Sequence, residues 1–286
     1  MKHLFIINPA AGSRDRTVLY SKMIRQACER HGISCRIEVS AVPGDCRRIA
    51  REAAQSGKEV RIYACGGDGT LNEVVQGAAG YDNAAVTAFS CGSGNDFLRD
   101  VGDNGGKLVP MNDYLKNLPV VTVKGKEYRF LNGVGYGIDG YCCEVGDKLR
   151  AEKPGKKINY TGIAIKGLLF HYKPTGATII VDGKEHRFEK VWLAPAMFGR
   201  CYGGGMYPTP GQTREDDHLS VLVFHGSGKL KTLMIFPSIF KGEHVKKEKY
   251  VTVLSGKEIT VKYDEPRPVQ VDGETILDVS EYTARR

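Results

Sequence analysis

The chain has 286 residues, 41% hydrophobic and 26% charged, which is ordinary for a folded globular protein and argues against a disordered one. An excess of 41 Lys and Arg over 33 Asp and Glu leaves a formal charge of +8, which suits an anionic partner such as a nucleotide, nucleic acid or an acidic membrane surface without choosing among them. The length is comfortable for two domains, and eight cysteines without a CxxC pair or a Cys-His cluster at zinc spacing read as reduced, buried thiols rather than a disulfide framework or metal site. Met1-Lys2-His3 runs into an apolar stretch too short for a signal-peptide core, and no run reaches transmembrane length, so the expected place is the cytoplasm, with any membrane contact peripheral.

In chain order, Leu4 to Ile7 is an all-apolar run of the kind found in strands covered on both faces of a parallel sheet. It opens into Asn8-Pro9-Ala10-Ala11-Gly12-Ser13-Arg14, a loop at the strand end where open α/β sheets bind ligands. Helical spacing through Val18, Leu19, Met23, Ala27 and Cys28 follows and stops at Gly32. A strand from Ser34 to Val39 and a helix from Asp45 to Gln55, closed by Gly57, lead to the strand Val60 to Ala64.

Cys65-Gly66-Gly67-Asp68-Gly69-Thr70-Leu71-Asn72-Glu73 then reads as a glycine loop passing into a helix, with Leu71, Val74, Val75 and Ala78 at helical spacing. Thr70 and Glu73 have the separation of a capping box. Backbone amides stripped of Cβ atoms beside a helix N-terminus favour a phosphate. A carboxylate in the same loop would repel it unless a cation or hydroxyl intervened, which points to a nucleotide with a divalent metal. A tight turn using Asp68 as its turn former is an equal reading. The strand Ala84 to Ser90 opens into a second such loop, Cys91-Gly92-Ser93-Gly94-Asn95-Asp96-Phe97-Leu98-Arg99. Alone, Ser93, Asn95 and Asp96 fit ordinary loop and N-cap positions. Two glycine-plus-acid loops at successive strand ends are hard to explain as turns only.

Residues 107–119 carry no clear signal. From Val120 to Phe130 the period switches to alternation around Lys124-Gly125-Lys126, a hairpin that places the domain boundary at residues 120 and 121. Gly135-x-Gly137-x-x-Gly140 has the spacing of a dinucleotide fingerprint, but it follows a hairpin rather than opening a βαβ unit and lacks the ribose-binding acid. Lys148 to Tyr172, with Lys153, Lys156, Lys157 and Lys166, reads as an amphipathic helix whose basic face is either solvated or turned to phospholipid headgroups. Beyond residue 175 short strands dominate, interrupted by a helix from Leu230 to Phe240, and an antiparallel sandwich fits. Asp216 and Asp217 lie in an acidic turn, and Val271-Asp272-Gly273-Glu274 carries a hairpin signal.

Asn8-Pro9-x-Ala11-Gly12, Gly66-Gly67-Asp68-Gly69-Thr70 with Asn72-Glu73, and Gly92-Ser93-Gly94-Asn95-Asp96-Phe97-x-Arg99 together resemble the ordered motifs of the diacylglycerol kinase and sphingosine kinase superfamily, in its soluble bacterial lipid kinase form. NAD kinases and phosphofructokinases share the GGDG loop but not the other two motifs in this form. The resemblance implies an α/β domain over 1–120, a parallel sheet with helices on both faces, to which the tail 275–286 returns. It also implies an antiparallel β-sandwich lipid-substrate domain over 121–274, with the active site in the cleft between the two. The activity implied is ATP-dependent phosphorylation of a lipid hydroxyl, diacylglycerol leading, with a NAD kinase-like enzyme and a catalytically silent nucleotide or lipid sensor as alternatives.

By the same resemblance Asn8, Pro9, Gly12, Gly66, Gly67, Gly69, Thr70, Glu73, Ser93, Asn95 and Asp96 would hold ATP, with Arg14 and Arg99 adding positive charge. Asp68 would order Mg2+ or the loop around it. Asp272 would deprotonate the acceptor, assisted by Glu274, and Asn132 is a further candidate. In such kinases an Asp-Asp-Gly-Leu turn is linked to a structural magnesium site; here His218 and Ser220 replace expected residues, so metal binding by Asp216 and Asp217 and a plain polar turn weigh equally. The partners implied are a lipid at a membrane surface and, as an open option, a second copy of the chain in a homodimer; nucleic acid is not among them.

Overall fold

Strand β1, Lys2–Ile7, is buried from Leu4 onward, as its unbroken apolar run requires. The computed structural model describes residues 1–12, 15–91, 95–102, 108–115, 117–153 and 158–286, and the chain divides into two units, Met1–Asn117 and Leu118–Arg286.

In the first unit β1 is followed by α1 (Thr17–Arg30), β2 (Cys35–Val39), α2 (Asp45–Gln55), β3 (Val60–Gly66), α3 (Asp68–Ala78), β4 (Ala84–Ser90), α4 (Asp96–Asp100), β5 (Leu108–Pro110) and α5 (Asn112–Leu115). The sheet order is β2-β1-β3-β4-β5, with the first four strands parallel and β5 antiparallel at the edge. Phe5, Ile7, Tyr63 and Cys65 share one face and pack on Ile24 and Cys28 of α1. Leu4, Ile6, Ile62 and Ala64 alternate to the other face and are buried too. The helical stripe of α1 is rotated from the expected one. Val18, Leu19 and Met23 are exposed, because Ile24 and Cys28 are what the sheet covers.

The second unit contains β6 (Val120–Val123), β7 (Lys126–Arg129), β8 (Gly133–Tyr136), α6 (Ile138–Glu152), α7 (Tyr160–Lys166), a π-helical turn (Gly167–His171), β9 (Thr175–Val181), β10 (Lys184–Val191), β11 (Ala196–Met197) and β12 (Leu219–Phe224). It continues with α8 (Lys229–Ile235), two 3-10 turns (Phe236–Lys241 and Glu243–Lys246), β13 (Val251–Gly256), β14 (Glu258–Val271) and β15 (Glu274–Arg285). The antiparallel path runs β13-β12-β11-β8-β14-β15-β6-β7, with β9 and β10 branching from β14. Three hairpins turn at Lys124-Gly125, Asp182-Gly183 and Asp272-Gly273, the first and last of them at the turns marked in the sequence. In each, both residues have positive φ, as a two-residue turn matching strand twist requires.

The single basic helix expected from Lys148 to Tyr172 is instead α6, α7 and the π-helical turn. Pro154 and Gly155 in the sequence oppose helix continuation. The dinucleotide-like glycines lie at β8 and the start of α6, in an antiparallel sheet. The stretches Ile259–Tyr263 and Val269–Val271 join as one strand, β14, whose register shifts around Pro266 and Pro268. Residues 275–286 belong to the second unit, where β15 pairs with β14 and β6.

Gly140 marks the tightest approach of α6 to β14, where an added Cβ would lie 1.9 Å from the Pro268 carbonyl oxygen. Backbone cannot rotate away as a side chain can. Gly140→Ala should therefore destabilise the protein by about 1–3 kcal/mol, the usual cost of overpacking, and lower the thermal midpoint seen by calorimetry.

Candidate active site

Register decides which loops meet. Ile7 of β1 lies opposite Cys65 of β3, and Cys65 and Gly66 lie opposite Phe89 and Ser90 of β4, so three parallel strands end level. The loops after them carry the three sequence motifs. Hydrogen bonds stitch them together: the Asn8 amide donates to the Cys65 carbonyl at 3.2 Å and the Cys91 amide to the Gly66 carbonyl at 3.0 Å. The Asn8 side chain donates to Thr70 Oγ1 at 3.0 Å while its own oxygen accepts from the Ala10 amide. Gly12, at φ +85°, brings its α-carbon face against the Cys91 carbonyl.

Asp68 supplies the strongest tie. Its two oxygens accept from the backbone amides of Asp96 at 2.9 Å and Phe97 at 3.0 Å, capping α4 from another loop. Asn95, at the N-cap position, is left-handed with φ +53° and makes no side-chain cap of its own. The acid of the second motif thus does the capping work in the third. Asp96 in turn pairs with Arg99 at 2.6 Å, so the charge expected from Arg99 is already partnered.

The capping box expected at Thr70 and Glu73 does not form. The helix begins two residues earlier, at Asp68, so Thr70 lies inside the first turn and serves Asn8 instead. Glu73 reaches the Gly44 amide before α2 at 3.1 Å, and its second oxygen is buried without a hydrogen-bond partner among the described residues. It braces α3 against the start of α2. Gly66 is required by packing, since a Cβ would meet Thr70 Oγ1 at 2.2 Å. Gly69 is not: it is exposed, its φ is ordinary, and a Cβ there would touch nothing within 4 Å. Gly66, Gly67, Asp68 and Asn95 line a small pocket with Phe89 and Leu98. Pro9 stands half-buried beside this edge, and the candidates Arg14 and Ser93 lie outside the described residues.

In the second unit Asp272 occupies the β14-β15 turn at φ +47°. One of its oxygens accepts from the Leu131 amide at 2.5 Å, the other from the Asn132 and Gly133 amides at 2.8 and 3.1 Å. A carboxylate has about four acceptor positions, so about one is left over. Arg214, which the sequence reading passed over, is buried and donates to the Leu131 carbonyl and to Asn132 Oδ1 at 2.5 and 2.8 Å. It makes Asn132 a bridge between the guanidinium and the Asp272 turn. Burial pushes the Asp272 carboxyl up to about 6, against the opposing pull of the three amides and the Arg214 charge.

A second enclosed acid lies close by. Burial also raises Asp139 to about 6, opposed by hydrogen bonds from the Gly140 amide, Tyr202 and Gln270. Gln270 accepts from the Gly273 amide at 2.6 Å, so Asp139 is linked to the Asp-Gly-Glu turn. Glu274 is exposed at the start of β15. Neither Asp139 nor Arg214 carries a local signal in sequence; both matter through partners 60 or more residues away.

Asp216 and Asp217 have other uses. Asp216 accepts from the Thr213 amide at 2.8 Å and from Gln212, whereas Asp217 pairs with Lys257 at 2.9 Å. Among the described residues no three His, Cys, Asp or Glu side chains converge as a metal site. Both acids of the turn thus have protein partners.

A family profile for the diacylglycerol kinase catalytic domain matches residues 2–118, and one for the YegS C-terminal NAD kinase beta sandwich-like domain matches 132–283. The chain belongs to the diacylglycerol kinase family of bacterial lipid kinase type. A diacylglycerol kinase of Bacillus subtilis is 26% identical over 94% of this chain and 88% of its own length. YtlR of the same organism, named provisionally as a lipid kinase, is 25% identical over 96% of this chain and 94% of its own. A crystal structure of a diacylglycerol kinase from Bacillus anthracis superposes with a TM-score of 0.64 at 20% identity, covering 100% of this chain and 94% of that one, and supports the fold. Both units of this kinase-family protein are thus accounted for, and no helix among its described residues is long and apolar enough to cross a membrane.

If Arg214 lowers the Asp272 carboxyl as the geometry indicates, Arg214→Met should move its titration midpoint above the present value of about 6. Carbon-13 NMR of labelled aspartate would read the upward shift, and an unchanged midpoint would remove Arg214 from this role.

Proposed function

We propose that the protein is an ATP-dependent lipid kinase that transfers the γ-phosphoryl group to a lipid hydroxyl, with diacylglycerol as the leading acceptor and phosphatidic acid as the product. The observation that carries the reading is Gly69: neither packing nor backbone conformation demands a glycine there, while close approach of a phosphate to bare backbone does. Asn8 and Thr70 orient one side of that loop, and Asp68 locks it to α4.

Phosphoryl transfer depends mainly on positioning and charge neutralisation. With two amides already on it, the Asp68 carboxylate keeps about two acceptor positions, enough for a magnesium ion held mostly by nucleotide phosphates. Such an ion would neutralise the phosphate charge. Asp272 serves as general base through its remaining acceptor position, a role typically contributing roughly 10²- to 10⁴-fold. The turn amides hold its carboxylate still, and Glu274 lies on the same turn.

Asp272→Asn should lower kcat by about 10²- to 10⁴-fold while nucleotide affinity stays near normal, since asparagine tolerates the positive φ. A near-normal rate would eliminate Asp272 as the base. Because the base works deprotonated, wild-type kcat/KM should rise with pH through about 6 and then level off. Incubation with labelled ATP and an extracted lipid mixture, with NAD as control, should give labelled phosphatidic acid; label in NAD, or none in any lipid, would reject the proposed activity.

A further inference from the structure

Gly135 of β8 lies directly opposite Gln270 of β14, and the space left by its missing side chain is taken by two others. A Cβ at position 135 would fall 1.6 Å from Asp139 Oδ2 and 2.6 Å from Gln270 Nε2, so the acid and the amide meet over that bare backbone. Gln270 is buried and uses both ends of its amide. Its Oε1 accepts from the Gly273 amide at 2.6 Å, while Nε2 donates to the Asp139 carboxylate. The carboxylate decides which way round the amide stands. Ionised, it only accepts, so the nitrogen end of Gln270 must face it and the oxygen end is held toward Gly273.

The other donors to Asp139 are neutral as well: the Gly140 amide at 2.9 Å and the Tyr202 hydroxyl at 3.3 Å. A space that needed only filling would take an apolar side chain, whereas an acceptor set among donors orients them. What it orients is the Asp272 turn. Asp272 is tied by its carboxylate to the amides of Leu131, Asn132 and Gly133, and by its own amide to the Gly133 carbonyl at 3.1 Å. Those ties act on one residue of the turn. The other, Gly273 at φ +93°, has its tie in Gln270. Turned the other way, the Gln270 amide would set its NH2 against the Gly273 N–H, donor against donor.

We propose that Asp139 is a positioning residue for the reaction: through the Gln270 amide it fixes the Gly273 N–H, and with it the backbone turn from which Asp272 meets the acceptor hydroxyl. The inference rests on Asp272 acting as the base.

The test reverses the polarity of the contact between Asp139 and Gln270 in the full chain. Asp139→Asn puts one NH2 before another, and Gln270→Glu sets two carboxylates together. Each alone should lower kcat by about tenfold or more, with the KM for ATP within about twofold of the wild-type value. Combined, Asp139→Asn and Gln270→Glu again place a donor before an acceptor and leave Gly273 its acceptor, so kcat should return to within about threefold of wild type. The NMR signal of the Gly273 amide reads the same cycle without catalysis: it should shift in each single variant and return in the double one. A contact that served folding alone would move the thermal midpoint and not kcat. Single variants with wild-type kcat, or a folded double variant that does not recover, would overturn the proposal, as would a cycle seen in the Gly273 signal but absent from kcat. Where a single variant fails to fold, the double variant decides: restored turnover supports the proposal, and lost turnover or failure to fold rejects it. An inactive wild type would reject the enzymatic reading and this inference with it, whereas fully active single variants reject this inference alone.

Discussion

The parallel pairing of β1, β3 and β4 is the constraint on which the candidate site depends. Parallel strands in level register end on one edge, so their three outgoing loops become neighbours although 82 residues separate Asn8 from Ser90. Level strand ends do not by themselves make a site. The Asp68 carboxylate on the α4 amides and the Asn8 side chain on Thr70 convert three loops into one cross-linked edge. Both contacts use groups that would otherwise be turn furniture, which explains why each motif alone looks like an ordinary turn.

The acids of the two units are held in a similar way but differ in their surroundings. Asp68 and Asp272 each accept hydrogen bonds from backbone amides rather than sitting exposed. Amide donors favour the charged carboxylate, and burial disfavours it. At Asp272 burial outweighs three amides and the Arg214 charge, leaving a carboxyl that changes protonation near 6. Rigid backbone anchors and an elevated titration range are what a base needs, since it must be both oriented and able to hold a proton. Asp139 has the same elevated range without the same anchors, and its link through Gln270 to Gly273 ties it to the turn instead.

Much of the fold was legible from local signals. Glycine-bearing two-residue turns, a buried apolar run at β1 and the alternation of β and α all arise from interactions within a few residues, and the structure has them. Failures occurred where a distant partner intervened. Glu73 has the spacing of a capping residue, yet the Gly44 amide takes it. Val18, Leu19 and Met23 have helical periodicity, yet the sheet packs on the neighbouring stripe of α1. The tail was expected to cross to the first unit, yet β15 finds its hydrogen bonds along β14 and β6.

The sequence by itself determined the family, the two-unit architecture, the three motif loops and the Asp-Gly-Glu turn, because these rest on residue type, spacing and short-range backbone preference. Tertiary structure alone decided what each acid does. Asp68 became a remote helix cap, Asp216 and Asp217 were taken by a turn amide and a lysine, and Arg214 emerged as the counter-charge near Asp272. A carboxylate's role follows from the donors and charges within a few ångströms, and those come from parts of the chain that no local pattern connects.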